Sequence, residues 1–576
     1  MYFPPDGGHW PVGGRSGAAV LCPVDTAGEC MVRPAADKDL IADRDNLLMN
    51  DTYTGNTHIL QTQLEEYVRQ GLYPLHMPGH KRLVQPAPGL PSSWDLTEVE
   101  GTDDLHDAGG ILSDAMKRTA RLWGAERTWY LVNGSTCGLL AAIRSLAGHG
   151  AEVICARNCH KAVFHAIELS GYRVRWLMPA VNEEWGICGG ISALQVQAAL
   201  SRYPAAKAVI LTSPTYEGIL SDIKGICRVC HEKGIPVLVD EAHGAHLMPL
   251  SAASGFPAGA LEGGADLVVQ SPHKTLPSLT QTALLHLQGR LADPARVEEE
   301  LDIFETSSPS YPLMASLDGC TGILREQGEE LFQRWGDRIG RFDVTVRSRL
   351  HRIRILGHTD FSSSCGVCDP GKILIDAGPV GMDGRKMAGI LREKYQMETE
   401  MTQGGLVLAM TSICDDEKAL DRLAIALEEI EKSCTCGSLS PAVTKGKDPG
   451  CNKKRSTAPV KKEESKEEKN ESAKQEMAAG TVQNNTYIRK LSGLKPVVFC
   501  TIEQAAARES EYVPSDLTTG RICAEYLYFY PPGIPVLAPG EIITKKLTEL
   551  LKEAGREGAA FYRHAPDIRM IRCLRE

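Results

Sequence analysis

Between Thr128 and Leu287, short apolar runs alternate with amphipathic segments of helical length. The strand-like runs "AEVICA", "AKAVILTSP" and "IPVLVDEA" are separated by the helix-like segments "KAVFHAIELSG" and "DIKGICRVCHEKG". Continuously apolar strands that alternate with helices are typical of a mainly parallel sheet with helices on both faces. The pattern therefore predicts an α/β fold, and in such sheets ligands bind at the carboxyl ends of the strands.

The 576 residues exceed a single hydrophobic core, and changes in composition divide the chain. After the α/β region, short strands such as "KILIDA" and "GLVLAMTS" indicate a smaller α+β domain. The next segment is charged and almost without large apolar residues, so it cannot bury enough surface to offset the entropy of ordering. The predicted parts are a loose N-terminal extension at 1–55, a large domain at 56–318, the α+β domain at 319–435, a disordered charged linker at 436–485 and a C-terminal domain at 486–576.

The composition is that of a globular protein, with 43% hydrophobic and 24% charged residues. A net charge of −10 argues against nucleic acid or an anionic membrane as a partner. Because the chain has no signal-peptide pattern and no run of about 18 apolar residues, we expect a cytoplasmic protein that binds a small molecule. The 18 cysteines are scattered, and the cluster Cys434, Cys436 and Cys451 lacks the second pair that a zinc site needs, so no metal is expected.

Two charged residues follow neighbouring apolar runs, at the points where strands of a parallel sheet would end. Asp240 closes the run "IPVLVD", and Lys274 comes after the run "DLVVQSPH". A buried carboxylate is costly unless it meets a cation or a donor. Taken alone, Asp240 is better explained as a helix cap or a structural ion pair, and Lys274 as a surface charge. Taken together, they predict an acid and an amine in one crevice.

The stretch "YLVNGSTCGLLAAI" adds a candidate anion site. It passes through Ser135 and Thr136 into a helix, where backbone N–H groups and hydroxyls can hold an anion, although ordinary helix capping is an alternative. His160 in "RNCHKA" follows another strand, and it can cap the next helix or stack over a ring. A phosphate at the helix start, an aldehyde on Lys274 and a pyridine nitrogen paired with Asp240 are all explained by one cofactor, pyridoxal 5′-phosphate.

The longer motifs resemble the Orn/Lys/Arg decarboxylases, a family of fold type I pyridoxal phosphate enzymes. The resemblance covers about Leu72 to Leu427 and Thr519 to Glu541, and the matching stretches are "LHMPGHKR", "DLTEVEGTDDLH", "NGST", "RNCHKA", "SPTYEG", "VLVDEAHGAH", "SPHKTLPSLTQTALLH", "SSPSYPLMASLD" and "YPPGIPVLAPGE". It implies an aspartate aminotransferase-like large domain with a mainly parallel sheet, a smaller α+β domain and a C-terminal decarboxylase domain. Among subtypes the chain is most similar to the short biosynthetic arginine decarboxylases.

The resemblance also implies roles for residues around the cofactor. Lys274 would bind the aldehyde, Asp240 would pair with the pyridine nitrogen, and His160 would stack on the ring. The other residues expected near the ring are Ala242, His243, Thr212 and Pro214. The residues expected to hold the phosphate are Ser135, Thr136, Ser271 and His273, and His273 is also a candidate catalytic residue.

Two further implications concern the partner chain and the substrate. Active sites of this fold class lie between subunits, so Ser307 to Tyr311 would reach the cofactor of a second copy, and a homodimer at least is implied. Glu525 would lie near the distal cation of a basic substrate, although a solvent-exposed carboxylate is the alternative. Here a guanidinium would prefer a bidentate carboxylate, whereas an ammonium needs only a point charge.

Cofactor binding alone does not select the reaction. An aminotransferase typically holds the substrate α-carboxylate with an arginine of the smaller domain, and the stretch "EMTQGGLVLAMTSICDD" contains none. A weakly solvated carboxylate is lost more readily as carbon dioxide. The preferred hypothesis is therefore decarboxylation of a basic amino acid, first of all arginine to agmatine in polyamine biosynthesis. Lysine or ornithine as substrate, transamination, carbon–carbon cleavage of a β-hydroxy amino acid and a cofactor-binding module without activity are the alternatives.

Overall fold

The computed structural model describes residues 57–72, 76–78, 80–82, 89–356, 367–435, 494–529, 534–556, 561–562 and 570–575. The predicted extension at 1–55, the predicted linker at 436–485 and the cysteines Cys436 and Cys451 lie outside these residues. In the part that is described, no helix combines the length and the apolar character needed to cross a membrane.

A seven-stranded sheet forms the centre of the first half of the described chain. The strands of this half are β1 (Arg127–Leu131), β2 (Glu152–Ala156), β3 (Arg173–Leu177), β4 (Val181–Asn182), β5 (Ile187–Cys188), β6 (Val209–Thr212), β7 (Val237–Glu241), β8 (Leu267–Gln270) and β9 (Ala283–Leu287). The order across the sheet is β1-β9-β8-β7-β6-β2-β3, and β4 pairs with β5 as a separate ribbon. Neighbours from β8 to β3 run parallel, whereas β9 is antiparallel to both β8 and β1. The predicted α/β fold with a mainly parallel sheet is confirmed.

Helices connect these strands and pack around the sheet. They are α1 (Ile59–Arg69), α2 (Ile111–Trp123), α3 (Gly134–Ser145), α4 (Lys161–Leu169), α5 (Ala193–Arg202), α6 (Ile223–His231), the single turn α7 (Pro272–Thr275), α8 (Pro294–Phe304) and α9 (Tyr311–Arg349), with a 3-10 helix at Pro249–Ser254. Polar side chains fix several helix starts: Ser192 and Gln195 form a capping box on α5, and Asp222 caps α6. All residues of β2, β7, β8 and β9 are buried, which explains why these runs are so apolar.

A smaller antiparallel sheet follows α9. Its order is β10-β11-β13-β12, and the elements of this part are β10 (Arg354–Leu356), β11 (Lys372–Asp376), a 3-10 helix at Gly378–Val380, α10 (Gly384–Tyr395), β12 (Met401–Gln403), β13 (Leu406–Met410) and α11 (Ala419–Thr435). The predicted boundary between 318 and 319 falls within α9, a helix of 39 residues that contacts α2 and also α11. Because a single helix continues across this predicted boundary, the structure does not test where the two domains divide, and the boundary positions remain predictions.

The C-terminal part contains α12 (Ile502–Ala506), β14 (Ser510–Pro514), β15 (Leu527–Phe529), β16 (Ile534–Leu537), α13 (Lys545–Arg556), β17 (Phe561–Tyr562) and β18 (Met570–Leu574). Strands β14 and β18 pair, and β15 lies between β16 and β17. This part packs on the large domain through polar contacts. Arg157 Nη2 lies 3.0 Å from Glu541 Oε2, and the Tyr526 hydroxyl donates to Glu168 Oε2 at 2.6 Å.

Candidate active site

Parallel strand pairing brings the ends of β6, β7 and β8 to one edge of the sheet. Thr212 is opposite Asp240 in the register of β6 and β7, and Asp240 is opposite Val269 in β8. Lys274 lies in α7, one short turn after β8. The acid and the amine therefore emerge side by side, as parallel pairing requires.

A cavity of about 490 Å³ opens at this edge. Among the residues predicted for the site, its lining includes Ser135, His160, Thr212, Pro214, Asp240, Ala242, His243, His273 and Lys274. Further lining residues are Leu139, Asn158, Cys188, Thr215, Tyr216, Glu217, Glu400, Met410 and Ile534. The structure thus brings together most of the predicted residues, whose roles remain to be tested.

Asp240 is buried, Lys274 is half-buried, and the two act on each other electrostatically. Burial lowers the pKa of Lys274 below its ordinary value, and the charges of Asp240 and Glu400 oppose that shift. Burial likewise raises the pKa of Asp240, against the charge of Lys274 and a hydrogen bond from the backbone N–H of Ala242 to Oδ1 at 3.2 Å. The result is an amine that loses its proton more easily than a surface lysine and a carboxylate that favours a cationic neighbour.

The start of α3 has the features of an anion site. Gly134 adopts a positive φ of 77°, and the Asn133 side chain makes no capping hydrogen bond to the first turn. Ser135 lines the cavity at this point, whereas Thr136 is exposed and is not among the lining residues. Ser271, which precedes α7, is fully buried, and its Oγ has no hydrogen-bond partner among the described residues. Ser271 is not among the residues that line the cavity, but its unpartnered hydroxyl is available to donate to a polar group bound beside it.

Two histidines of the lining are held by their Nδ1 atoms. His160 Nδ1 accepts from the backbone N–H of Ala162 at 3.3 Å, so this residue both caps α4 and faces the cavity. Burial, with the nearby charge of Lys274, lowers the pKa of His160 to about 4 and keeps its ring neutral. His273 Nδ1 lies 2.6 Å from the carbonyl oxygen of Thr282, to which it donates, and burial lowers its pKa as well.

Lys372 of the smaller sheet lies behind the lining of the cavity and contacts three of the lining residues. The Nζ atom of Lys372 lies 2.9 Å from Nδ1 of His243, 3.1 Å from the carbonyl oxygen of Tyr216 and 3.8 Å from Sδ of Met410. The Tyr216 hydroxyl donates to Glu400 Oε1 at 2.6 Å. The sequence did not predict Tyr216 and Glu400 as lining residues, nor Lys372 as a residue that contacts the lining. A weak signal existed, because a lysine opens the otherwise apolar strand "KILID" and Tyr216 belongs to the motif "SPTYEG".

Burial is the main cause of the pKa shifts of Lys372 and His243. It lowers the pKa of Lys372 to about 8, with the charge of Asp369 opposing the shift. It also lowers the pKa of His243, to which the charges of Lys372 and Lys274 add. A protonated Lys372 therefore donates to a neutral His243, which fixes Nδ1 of that ring as the acceptor.

Two predicted regions do not reach this cavity within one chain. Glu525 is buried, its Oε1 accepts from the backbone N–H of Arg572 at 2.7 Å, and it is not among the lining residues. In the segment Ser307 to Tyr311, the Tyr311 hydroxyl donates to the carbonyl oxygen of Asp103 at 2.6 Å, and none of the segment lines the cavity. The C-terminal part instead contributes Ile534.

The arrangement can hold a small phosphorylated aromatic aldehyde. It offers an amine with a lowered pKa, a buried carboxylate, a neutral imidazole and an uncapped helix start around one cavity. Groups of this kind are those that covalent catalysis through a lysine and an electron-accepting ring requires.

Comparison with protein families gives two matches in chain order. The model described as the Orn/Lys/Arg decarboxylase major domain matches residues 59–366, and the model of the Orn/Lys/Arg decarboxylase C-terminal domain matches residues 491–567. Together they span the large sheet and most of the C-terminal part.

Individual relatives agree with these matches. The chain is 30% identical to an arginine decarboxylase of Halalkalibacterium halodurans, over 87% of this chain and 94% of the relative. It is 29% identical to an arginine decarboxylase of Bacillus subtilis, over 84% of this chain and 91% of the relative. Among solved structures, the lysine decarboxylase LdcF of Francisella novicida superposes with a TM-score of 0.72 at 18% identity, covering 94% of this chain and 83% of the other. That structural likeness supports the fold.

Proposed function

The chain belongs to the Orn/Lys/Arg decarboxylase family, a family of basic amino-acid decarboxylases, and on that premise we propose that it binds pyridoxal 5′-phosphate at Lys274 and converts arginine to agmatine. The family's members are pyridoxal phosphate enzymes, and the cofactor's place in this chain is the proposal. One observation carries it: Lys274, Asp240, His160 and Ser135 line one cavity at the carboxyl ends of the parallel strands.

The residues present fit the cofactor. The buried Ser271 hydroxyl has no partner among the described residues, and the first turn of α3 lacks a side-chain cap, which are the features that a phosphate would satisfy. Asp240 is a buried carboxylate that would favour a protonated pyridine nitrogen. Ser135 and His273 would complete the phosphate site, and the small side chain of Ala242 leaves room for a flat ring opposite His160.

Each residue has a role that follows from its surroundings. Burial prepares Lys274 to lose a proton, so its amine can react with an aldehyde and later accept or return protons at Nζ. His160 is neutral and fixed by its cap on α4, so it can stack on the ring without adding a competing charge. The bound cofactor would supply an electron sink for the bond that breaks at the substrate α-carbon.

The smaller domain favours decarboxylation over transamination. The stretch "EMTQGGLVLAMTSICDD" contributes Glu400 and Met410 to the lining. Because it contains no arginine, no guanidinium from this stretch can hold the α-carboxylate of a substrate. Lys372 of the smaller sheet is not among the lining residues, and its ammonium donates to His243 and to the Tyr216 carbonyl. A substrate carboxylate with few fixed cationic partners loses little ionic stabilisation as carbon dioxide leaves.

Arginine is proposed as substrate because the similarity to relatives named arginine decarboxylase covers most of both chains. A homodimer is part of the proposal, since Ser307 to Tyr311 does not line the cavity of its own chain and would serve a second copy. A cytoplasmic location completes it. Size-exclusion chromatography with light scattering tests the oligomer, for which a monomer mass at micromolar concentration would contradict a dimer.

The substrate is tested by incubating the purified protein and pyridoxal phosphate with arginine, lysine or ornithine in separate reactions. Released carbon dioxide is measured, and the amine is identified by mass spectrometry. We expect agmatine from arginine as the fastest reaction. Cadaverine or putrescine as the main amine would change the substrate but keep the reaction class. Formation of a keto acid without carbon dioxide would replace decarboxylation by transamination, and a yellow protein inert with all three amino acids would favour a cofactor-binding module.

A further inference from the structure

We propose that Glu400, oriented by Tyr216, is the carboxylate that binds the distal cation of the basic substrate. The inference rests on the proposed function and goes beyond it, because it assigns the residue that selects a dibasic amino acid. It also differs from the expectation for Glu525, which family resemblance places at the distal cation.

Among the described residues, three carboxylates line the cavity, and they differ in their surroundings. Asp240 is buried beside Lys274, and its charge is engaged there. Glu217 is also buried, and burial raises its pKa, so it favours the uncharged acid more than an ordinary glutamate does. Glu400 lines the cavity and is exposed, so its carboxylate remains hydrated until a cation arrives. A carboxylate at the open side suits the far end of a substrate whose α-carbon reacts at Lys274.

Tyr216 fixes the direction of this carboxylate. Its hydroxyl donates to Glu400 Oε1 at 2.6 Å, which is short enough for a charge-assisted hydrogen bond. A carboxylate has about four lone-pair sites, so one hydroxyl leaves room for a guanidinium on both oxygens. The pair can therefore receive arginine in a bidentate manner, and also the single ammonium of a shorter amino acid.

The charge of Glu400 also acts on the reacting end of the cavity. Glu400 and Lys274 line the same cavity, and the charge of Glu400 raises the pKa of Lys274. The cavity that contains both is about 490 Å³, a volume suited to one small ligand. One substrate molecule can thus meet Lys274 at one end and Glu400 at the other.

Glu525 has different contacts. It is only 2% exposed, and its Oε1 already accepts from the backbone N–H of Arg572 at 2.7 Å. It is not among the residues that line the cavity of its own chain. Through this hydrogen bond one oxygen of Glu525 contacts the backbone of β18.

The test compares Glu400→Gln with Glu398→Gln and Glu525→Gln in the holoenzyme. The first substitution keeps a side-chain oxygen that accepts from Tyr216 but removes the negative charge. Glu398 is two residues away and pairs with Arg392 on the surface, so its substitution is the matched control. Two readouts are used for each protein: KM and kcat with arginine, and the affinity for agmatine by isothermal titration calorimetry. Agmatine keeps the amine and the distal cation of arginine but lacks the α-carboxylate, so a difference in its affinity between Glu400→Gln and the wild type reports on the distal end.

We expect Glu400→Gln to raise KM for arginine and to weaken agmatine binding by on the order of 10- to 100-fold, with a smaller change in kcat. The control should stay within about twofold of the wild type, the range expected for a surface charge. Discrimination between arginine and its neutral isostere citrulline should fall by a similar factor in Glu400→Gln.

Unchanged agmatine binding in Glu400→Gln would overturn the inference, as would a loss confined to Glu525→Gln. Wild-type protein that binds agmatine but releases no carbon dioxide from any basic amino acid would overturn the proposed function while keeping the subsite. Wild-type protein that turns over arginine but shows no dependence on Glu400 would keep the proposed function and remove the subsite.

Discussion

The large domain and the two smaller parts contribute to the cavity in different ways. Large-domain residues such as Ser135, Asp240 and Lys274 come from strand ends of one sheet, and strand pairing alone brings Asp240 and Lys274 to one edge. Glu400 and Ile534 belong to other segments, and their positions depend on how these distant segments pack against the large domain. The side of the site that follows from local strand order could be predicted, and the side that follows from packing between domains could not.

The variant with the largest expected effect tests whether the reaction takes place at residues of the large domain. Lys274→Ala removes the amine that would bind the aldehyde and move protons, so the rate of carbon dioxide release should fall by about 1,000-fold or more. The visible absorbance of bound cofactor should also disappear, which spectrophotometry detects without turnover. Lys386→Ala, at an exposed lysine of α10, is the control. Normal turnover by Lys274→Ala would show that the chemistry lies elsewhere.

The same difference between the large domain and the other parts separates the predictions that were confirmed from the residues that were missed. The Orn/Lys/Arg family, the decarboxylase class and the α/β fold were predicted from long motifs and apolar periodicity, and all three are confirmed. The alternation of "IPVLVD" and "DLVVQ" was enough to place Asp240 and Lys274 together, because a parallel sheet has one carboxyl edge. His160 was predicted either to cap a helix or to face a ring, and it caps α4 while it lines the cavity.

Residues of the smaller sheet gave no comparable signal. Lys372 begins a short strand, and its three contacts at Nζ are to residues that lie 38 to 156 positions away. Glu400 precedes β12 and meets Tyr216 across 184 positions. Neither periodicity nor motif spacing encodes such contacts, which depend on the packing of the antiparallel sheet against the parallel one. The absence of arginine from the stretch that begins at Glu400 was noted, but neither the contact of Glu400 with Tyr216 nor the buried Lys372 beside His243 was predicted.

A second prediction concerns the contact that holds the C-terminal part on the large domain. Glu541→Gln leaves the buried guanidinium of Arg157 without a charged partner, and breaking a buried ion pair in this way costs about 3 to 5 kcal/mol. The thermal unfolding midpoint should therefore fall, and limited proteolysis should release the C-terminal part sooner. The matched control is Glu503→Gln, which breaks the exposed contact with His149 between the same two parts and should cost less than about 1 kcal/mol.

A double variant separates charge pairing from packing at this contact. Arg157→Met with Glu541→Leu removes both charges, so no uncompensated charge remains, and stability should recover most of the loss seen in Glu541→Gln. Arg157 also lies over the rings of Phe164 and Trp176, at 5.2 Å and 4.8 Å from their centroids, and the methionine keeps part of that packing. Equal effects of Glu541→Gln and Glu503→Gln would show that the buried pair adds nothing to the docking of the C-terminal part.

The smallest expected effect is a change in the free energy of unfolding with pH that arises from Lys372 in the smaller sheet. Burial lowers the pKa of Lys372 from 10.5 to about 8, so between these values the unfolded chain binds more protons than the folded chain. The free energy of unfolding of the wild type, relative to Lys372→Met, should therefore rise as the pH increases from about 8 to 10.5. The full change is on the order of 3 kcal/mol, and part of it should be visible as a shift in urea midpoint between about pH 7.5 and pH 9.5. Lys386→Met, at an exposed position, should show no such trend. A difference between wild type and Lys372→Met that is the same at both pH values would mean that this lysine is as well hydrated as a surface charge, and water would then reach the contact between the smaller sheet and the large domain behind the cavity.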